Sequence, residues 1–405
     1  MKKKISTLAL VSLFAATSAF ASAYRIPEQS VDSTAKSGAN VASASRADTA
    51  YYNPANMSWL SDGWQTQVNL TYIHLTAISY EDYRSALFDG ESEDENFLLP
   101  TAFLVSPFYG DVRFGLSVTA PFGLAKRWKD RYPRATAQEF SLEVIELNPT
   151  ASYRINDMVS VSGGARMLYN TAEVQTDARY VGSPAAMTVD GDTIEWGYNL
   201  AVSVKPREDL NFSATYRSNV DLDFEGDADL FIGRTLPTRD GEVTVPAPAV
   251  LTLAAAFNPM PVLTVELSWD RTFWSEYEEL DFDFFPAVGF PPFEAPRSKD
   301  WDDSSAYRIG LSYQANEVLT LMCGFAYDET PVPDESIGFE LPDSDAFLYS
   351  VGAQYKVNEK MDIGMAVLYD YKEEREITVS PTDTLYGEVT DASAWLVTAG
   401  INYKF

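Results

Sequence analysis

Apolar and polar residues alternate with a period of two along most of the chain from Trp64 onward. Because successive side chains of a β-strand point to opposite faces, this pattern predicts strands with one apolar and one polar face. The last segment, residues 394–405, is a clear example. Its apolar face consists of Trp395, Val397, Ala399, Ile401, Tyr403 and Phe405.

Short and long connections alternate between the predicted strands. The short connections are residues 109–111, 155–157, 206–209, 258–261, 315–317 and 357–360. The long connections are centred near Glu91, Arg131, Ser183, Phe231, Phe285, Glu335 and Thr382. Six short turns and seven long loops separate fourteen strands. An even strand number with alternating short turns and long loops is typical of bacterial outer-membrane β-barrels.

A water-soluble antiparallel sandwich also alternates between apolar and polar residues. Two observations favour a membrane barrel. Aromatic residues such as Tyr307 and Tyr313 lie near strand ends, as in the aromatic girdles of membrane barrels. After residue 23, no stretch has the ~18 apolar residues of a spanning helix. Only helices and closed barrels satisfy their backbone groups in lipid. We therefore predict an all-β fold, a 14-stranded antiparallel transmembrane β-barrel over residues 63–405.

The N-terminus has the pattern of a secretory signal peptide. Three lysines, residues 2–4, precede a short apolar run and two overlapping small-residue cleavage sites. This order is that of a signal peptide, which is removed after export. We predict a signal peptide over residues 1–23, with cleavage after Ala23 and Ala21 as the alternative.

Residues 24–62 lack the alternation and are rich in small and polar residues, with short helix-compatible pieces. A segment of about 40 residues cannot build a core alone. Tyr51, Tyr52, Met57, Trp59 and Leu60 nevertheless favour burial. We therefore predict a small N-terminal helical hatch that plugs the barrel lumen. A disordered periplasmic leader is the alternative.

Composition narrows the function further. The net charge of −29 argues against nucleic-acid binding, which needs a basic surface. The single cysteine, Cys323, and single histidine, His74, allow no internal disulfide and no metal site built on several histidines or cysteines. We therefore expect no metal, no cofactor and no catalytic residues. A hydrolase barrel, which would depend on His74, and an adhesin barrel are the alternatives from other functional classes.

Three segments resemble the FadL-type outer-membrane transport family, which includes long-chain fatty-acid transporters and toluene-type hydrocarbon channels. They are residues 24–30 (YRIPEQS), residues 47–57 around Asn53-Pro54-Ala55, and residues 121–124 (PFGL). The resemblance implies passive transport through the bacterial outer membrane. Loops capture a hydrophobic ligand, a lumenal pocket at the hatch receives it, and it leaves sideways into the membrane. A channel for aromatic or alkane hydrocarbons is the alternative within transport.

The resemblance assigns roles to two motifs. Asn53, Pro54 and Ala55 correspond to the hatch motif, and proline fixes φ there and restricts the residue before it. Pro121, Phe122 and Gly123 correspond to the kink that opens a lateral gate in the third strand. Proline cannot donate to a strand ladder, so Pro121 suits a break in strand pairing.

Ligand contacts are predicted in two places. The dense aromatic run of the fifth long loop suits a capture surface, because exposed apolar patches usually bind something. Its ligand-binding candidates are Phe284, Phe285, Phe290 and Phe293. A structural lid over the barrel mouth is the alternative. A ligand carboxylate would favour an inward-pointing cation, for which the candidates are Arg166 and Arg308, with Arg113 and Arg217 in the same phase.

Two further partners are predicted. The basic residues of the second long loop, between Lys126 and Arg134, suit the phosphates of lipopolysaccharide in the outer membrane. A C-terminal aromatic residue on an amphipathic strand resembles the signal of the outer-membrane assembly machinery, so we assign this role to Phe405.

Overall fold

The computed structural model describes residues 23–379 and 385–405. The predicted signal peptide therefore lies outside the described residues except for Ala23. No helix among the described residues is long and apolar enough to cross a membrane.

Fourteen long strands form the barrel wall. In chain order they are β1 Gln65–Leu75, β2 Glu95–Val105, β3 Val112–Arg127, β4 Glu139–Arg154, β5 Val159–Asp177, β6 Ala185–Arg207, β7 Leu210–Arg217, β8 Val250–Met260, β9 Leu263–Thr272, β10 Ser304–Gln314, β11 Leu319–Asp328, β12 Ala346–Lys356, β13 Met361–Lys372 and β14 Ser393–Lys404. Each strand pairs with its sequence neighbours in antiparallel fashion.

The last strand closes the barrel on the first. Strand β14 pairs with β1 along its whole length, from Gln65 opposite Lys404 to Leu75 opposite Ala394. The predicted fourteen-stranded antiparallel barrel is therefore confirmed. The six short turns lie at one end and the seven long loops at the other, because antiparallel neighbours reverse direction at each connection.

The two faces of each strand differ as predicted. Leu267 and Tyr307 are 52% and 50% exposed on the outside, whereas Glu266 and Arg308 are 1% and 4% exposed on the inside. Cys323 also lies on the exposed outer face. Apolar residues outside and polar residues inside are the arrangement that a membrane barrel requires.

The long loops add shorter elements above the wall. Additional strands are Ser79–Asp82, Gly90–Glu91, Val220–Ile232, Arg239–Ala247, Glu279–Leu280, Phe282–Phe285, Arg297–Ser298, Arg375–Ile377 and Gly387–Thr390. Helical turns are Arg131–Ala137, Ala178–Val181, Trp274–Glu276 and Pro291–Glu294. Strand Val220–Ile232 pairs with the loop end of β6. Strand Arg239–Ala247 pairs with Val220–Ile232, and strand Phe282–Phe285 pairs in turn with Arg239–Ala247. The wall therefore rises above the barrel on this side.

The N-terminal segment lies inside the barrel. Its helical turns are Val31–Ala35, Thr49–Tyr52 and Pro54–Trp59. Almost all of residues 24–60 are buried, and their side chains bond to inward-facing residues of strands from opposite sides of the wall. For example, Thr34 bonds to Thr398 of β14, whereas Asn53 bonds to Ser213 of β7. The role of this segment as a hatch stays a prediction.

Candidate functional site

The loop end of the barrel encloses an apolar cavity of about 70 Å³. Residues from strands β3 to β5, from the extra wall strands, from the fifth and sixth long loops and from the start of the N-terminal segment line it. They are Tyr24, Leu124, Phe140, Ser141, Leu142, Ala172, Val174, Phe224, Val243, Val245, Tyr277, Leu280, Phe282, Lys299, Trp301, Glu340 and Leu341. Most of them are aliphatic or aromatic, as in pockets that bind small hydrophobic molecules.

Tyr24, at the start of the described chain, forms one wall of this cavity. Its ring packs edge-on against Trp274 at 4.6 Å and against Trp301 at 6.0 Å between ring centres. Its hydroxyl group donates a hydrogen bond of 2.5 Å to the Pro246 carbonyl. The N-terminal segment therefore connects the cavity with the lumen below it.

One ion pair lies in the cavity wall. The Lys299 ammonium group donates to the Glu340 carboxylate, and both side chains are largely shielded from solvent. Burial alone would raise the pKa of Glu340, but the adjacent Lys299 ammonium outweighs burial and holds this pKa below its ordinary value. Glu340 is therefore a charged carboxylate, and the pair as a whole is neutral.

Strand β3 leaves its neighbour β2 at the level of the cavity. Pairing between them begins at Val105 and Gly115 and stops at Ala102 and Val118. The pairing of β3 with β4 is also irregular between Thr119 and Phe122. Pro121, at the irregularity, has no N–H group for the ladder, which explains the break locally.

Contact between the two strands resumes at their loop ends, where the Glu93 N–H donates to the Arg127 carbonyl at 2.9 Å. Between this bond and the Ala102–Val118 pair, no backbone hydrogen bond joins β2 to β3 among the described residues. The barrel wall therefore contains a window in its backbone ladder.

The N-terminal segment lies along β3 at this window. The Ile26 N–H donates to the Pro121 carbonyl and the Gly123 N–H donates to the Tyr24 carbonyl, each at 2.8 Å. The side-chain amide of Gln29 donates to the Ala120 carbonyl at 2.9 Å and accepts from the Ala120 N–H at 2.9 Å. Residues 24–29 thus bond to the edge of β3 at the window, whereas β2 pairs with the same edge of β3 nearer the short turns.

Apolar side chains surround the window. Ile26, Phe97, Leu99, Ala120 and Ala125 belong to one buried cluster at this level. The neighbouring cluster contains cavity residues such as Leu124 and Tyr24. Leu124, which lines the cavity, is followed on β3 by Ala125 at the window, so apolar side chains border both features.

The Asn53-Pro54-Ala55 motif lies in the lumen. The Asn53 side-chain amide donates to the Val41 carbonyl at 3.1 Å and to the Ser213 hydroxyl at 2.9 Å. Pro54 begins the following 3-10 helix, where a missing N–H costs nothing. Ala55 is fully buried. The motif therefore ties one part of the segment to another and to the wall.

Arg113 fastens the end of the segment where it enters β1. Its guanidinium group donates to four backbone carbonyls of residues 57–63 and to that of Ser106, at 2.7 to 3.0 Å. The ring of Phe108 stacks below it at 4.5 Å. Arg113 therefore has a structural role that its inward phase alone did not specify.

Arg166 and Arg308 point inward as predicted, but neither lines the cavity. Arg166 and Arg217 share the carboxylate of Glu146. Arg308 lies between Asp270 and Asp328, at 3.4 and 3.1 Å. Glu146 thus supplies one negative charge for two arginines, whereas Arg308 has two carboxylates beside it. The contact of Arg166 or Arg308 with a ligand stays a prediction.

The aromatic run of the fifth loop divides between two environments. Phe284 and Phe293 are buried, Phe290 packs against the same apolar cluster, and Phe285 is half exposed. Phe284 and Phe285 differ because they are adjacent on one short strand and point to opposite faces. Phe282, on the same strand as Phe284 and Phe285, is the residue of this strand that lines the cavity.

The sequence pattern missed Lys299 and Glu340. The two residues are 41 positions apart on different loops, and no motif surrounds either of them. Only the fold of the fifth and sixth loops brings them together.

Glu28 is a buried acidic residue in the lumen, below the cavity. It is fully buried, and neither carboxylate oxygen accepts a hydrogen bond from another residue. Burial raises the pKa of Glu28 to about 7, although Arg308 opposes the shift and Asp370 and Asp328 add to it. Near neutral pH this carboxyl group therefore exchanges a proton.

A closed barrel of fourteen strands with an apolar outer face, an occupied bore and a cavity among its long loops defines a transmembrane β-barrel of the outer membrane. The model of the family described as outer membrane protein transport protein (OMPP1/FadL/TodX) matches residues 12–405. The chain therefore belongs to this family, and it is an outer-membrane protein.

Known proteins agree with this assignment. The chain is 26% identical to a long-chain fatty acid transport protein of Escherichia coli O6:H1, over 78% of this chain and 80% of that protein. A FadL homologue of Pseudomonas aeruginosa has the same fold, with a TM-score of 0.83 and 19% identity over 94% of this chain and 99% of that chain. The Ralstonia pickettii toluene transporter TbuX is similar at a TM-score of 0.71, with 17% identity over 93% and 98% of the two chains.

Proposed function

We propose that the protein is a passive transporter of long-chain fatty acids or related hydrophobic molecules across the outer membrane. One observation carries the proposal. An apolar cavity lies beside a window in the barrel wall, and the same N-terminal residues border both. Membership of a family of transporters, rather than enzymes, supports the same conclusion, and we propose no catalytic activity.

The proposed route runs from the loops to the bilayer. The aromatic fifth loop, with Phe284, Phe285, Phe290 and Phe293, is proposed to capture the ligand, which then enters the cavity beside Tyr24. Withdrawal of residues 24–29 from β3 would open the window. The ligand would leave sideways past Pro121, Phe122 and Gly123, which we propose as the lateral gate.

The physical chemistry favours this exit. Each methylene group transferred from water to an apolar environment gains about 0.8 kcal/mol. Release into the bilayer is therefore downhill for a long hydrocarbon chain, whereas release into water is not. No energy source is needed as long as the cell removes the product.

The cavity must widen for transport. An apolar cavity of ~150 Å³ accommodates a molecule as small as benzene, and this cavity measures about 70 Å³. We propose that residues 24–62 act as a hatch over the barrel domain of residues 63–405, with Asn53, Pro54 and Ala55 keeping the hatch in place while its first residues move.

A channel for aromatic or alkane hydrocarbons is the second candidate function. The lining of the cavity favours it, because aliphatic and aromatic side chains predominate and the Lys299–Glu340 pair is neutral as a unit. The two functions share the cavity and the window, and they differ in the charge of the ligand.

Two membrane partners complete the proposal. We propose that the second long loop meets lipopolysaccharide, although Arg127, Lys129 and Arg134 already contact the acidic residues Glu95, Glu93 and Asp177. We also propose that Phe405 presents the chain to the assembly machinery.

The cavity provides the test. Ala172→Trp places a large ring in a cavity that Ala172 lines, and a ring of this size cannot fit without displacing its neighbours. The matched control is Ala399→Trp, on the exposed outer face of β14. Cellular uptake of radiolabelled tetradecanol and tetradecanoate is measured for both variants and the wild type.

We expect Ala172→Trp to lower uptake about tenfold through overpacking of the cavity, and Ala399→Trp to leave uptake unchanged at equal protein levels in the outer membrane. Uptake by Ala172→Trp at the wild-type rate would contradict the proposal.

A further inference from the structure

The cavity contains two charged residues among its described lining, Lys299 and Glu340. Every other lining residue is apolar, apart from Ser141, the hydroxyl groups of two tyrosines and the indole N–H group of Trp301. The only cationic side chain of this described lining is therefore already bound by a carboxylate of the protein itself, and Arg297, which also acts on Glu340, lies outside the lining.

The backbone holds both partners in place. Lys299 is anchored by its N–H group, which donates to the Glu278 carbonyl at 2.7 Å. Glu340 lies in a tight turn in which the Leu341 N–H donates to the Gly338 carbonyl at 3.2 Å. A Cβ atom on Gly338 would clash with the Glu340 carboxylate. A glycine at this position thus leaves room for the carboxylate to face Lys299.

We infer that Glu340 occupies the position on Lys299 that a ligand carboxylate would need, so that the cavity selects neutral hydrophobic molecules over fatty-acid anions. The inference rests on the proposed function, because it names the ligand class of the same cavity. Glu340 is then the residue that determines specificity for the head group, while the apolar lining binds the hydrocarbon chain.

Electrostatics provides the reason for this selectivity. A fatty-acid anion that approached Lys299 would place a second carboxylate beside Glu340, with one lysine side chain to serve both. Like charges in close contact destabilise a complex strongly, and an unpaired charge in an apolar site is costly. A long-chain alcohol or alkane brings no charge, and it leaves the Lys299–Glu340 pair intact.

The experiment compares two ligands of equal chain length, tetradecanol and tetradecanoate. Equilibrium binding of each radiolabelled ligand is measured at pH 8 on purified, mature, detergent-solubilised protein. The predicted cleavage after Ala23 leaves an ammonium group on Tyr24, which lines the cavity. The use of mature protein keeps this group the same for every variant and ligand. The variants are Glu340→Gln, which removes the charge, and Glu340→Gln with Lys299→Gln, which removes both charges.

In the wild type we expect tetradecanol to bind about tenfold more tightly than tetradecanoate, because of the like-charge contact. In Glu340→Gln we expect tetradecanoate to gain about tenfold in affinity, because Lys299 becomes available to it. The affinity for tetradecanol should not change. The double variant should lose the gain for tetradecanoate, which a purely structural effect of residue 340 would not explain.

Glu335→Gln is the matched control, because it removes the same charge from an exposed position of the same loop. It should leave both affinities unchanged. Equal affinity of the wild type for the two ligands, or an unchanged ratio in Glu340→Gln, would overturn the inference while leaving the proposed function intact. Failure of both ligands to bind the wild type would overturn the proposed function as well.

Discussion

The lumen and the cavity above it are both buried, but they are held together by different interactions. In the lumen, polar groups meet polar groups. Glu266 accepts hydrogen bonds from the backbone N–H groups of Val41, Ala42 and Ser43 at 2.7 to 3.0 Å. In the cavity, aromatic and aliphatic side chains pack on one another around a single ion pair.

The polar contacts of the lumen and the apolar contacts of the cavity differ in how easily one partner can be replaced by another. A hydrogen bond to a charged group is directional, and its loss leaves a buried polar atom unpaired. Apolar contact is not directional, so a hydrocarbon ligand can replace a protein side chain at little cost. The lumen is therefore suited to hold the N-terminal segment, and the cavity is suited to admit a ligand.

Residues 24–29 join the two regions. Tyr24, at one end, packs in the aromatic wall of the cavity, and Gln29, at the other, bonds to the backbone of β3 and to Tyr52 in the lumen. A change at the cavity end can thus reach the window while the remainder of the segment stays anchored.

The largest effect is expected where the anchoring is densest. Arg113→Met removes a buried cation that bonds to five backbone carbonyls. The unpaired carbonyls should weaken the attachment of residues 57–63 by about 4 kcal/mol. Hydrogen exchange of this stretch should report the loss. Arg154→Met is the control, because Arg154 contacts the same Phe108 ring from a more exposed position. Equal protection in both variants would refute the anchoring role.

The next largest effect concerns pH. Burial raises the pKa of Glu28 to about 7, so the seated segment binds a proton that the displaced segment releases. The resulting stabilisation is complete below the ordinary pKa near 4.5 and is lost as pH rises to about 7. At one pKa unit per ~1.4 kcal/mol, the loss is up to about 3 kcal/mol.

Glu28→Gln should flatten this dependence and stabilise the seated segment at pH 8. Burial also raises the pKa of Asp48 to about 6. The Glu28→Gln variant should therefore keep a smaller loss of segment stability as pH rises. Protease accessibility of residues 24–48 between pH 4 and pH 8 is the measurement, with Glu335→Gln as the control. A slope in Glu28→Gln as steep as in the wild type would exclude Glu28 as its source.

A smaller effect is expected at the hatch motif. Asn53→Ala removes two hydrogen bonds from the lumen and should weaken seating by about 2 kcal/mol. The double variant with Pro54→Ala should slow ligand uptake without altering the amount of folded barrel, measured by its resistance to detergent. Ligand uptake at the wild-type rate would defeat the assignment of the motif to a hatch.

The smallest effect is expected at the cavity end. Tyr24→Phe keeps the ring in the aromatic wall but loses the hydrogen bond to the Pro246 carbonyl. A loss of about 1 kcal/mol should ease withdrawal of residues 24–29 and raise the rate of uptake by about fivefold at most. Uptake slower than in the wild type would show that this bond does not restrain the segment.

The wall was predictable from the sequence because its signals are local. Alternation and turn residues give the fourteen strands, and phase alone places Arg308 inside. Partner choice was not predictable, because it depends on contacts between distant segments. The phase of Arg166 is correct, yet only the fold shows that Glu146 is its ion-pair partner.

The cavity was less predictable than the wall. Phe284 and Phe285 form one apolar run in the sequence, but the strand they share sends one inward and the other outward. Lys299 and Glu340 come from separate loops, where neither periodicity nor a motif marks them. Loops lack the repeating geometry on which sequence patterns depend.

A reversible lock across the window tests the central claim most directly. Arg25 and Phe122 are bridge partners whose flanking bonds mark a non-hydrogen-bonded pair, with Cα atoms about 4.5 Å apart, within the range of a disulfide. Cysteines at both positions, in a Cys323→Ser background, should allow uptake of tetradecanol when reduced and block it when oxidised. Uptake by the fully oxidised protein at the rate of the reduced protein would contradict a lateral exit sealed by the N-terminal segment.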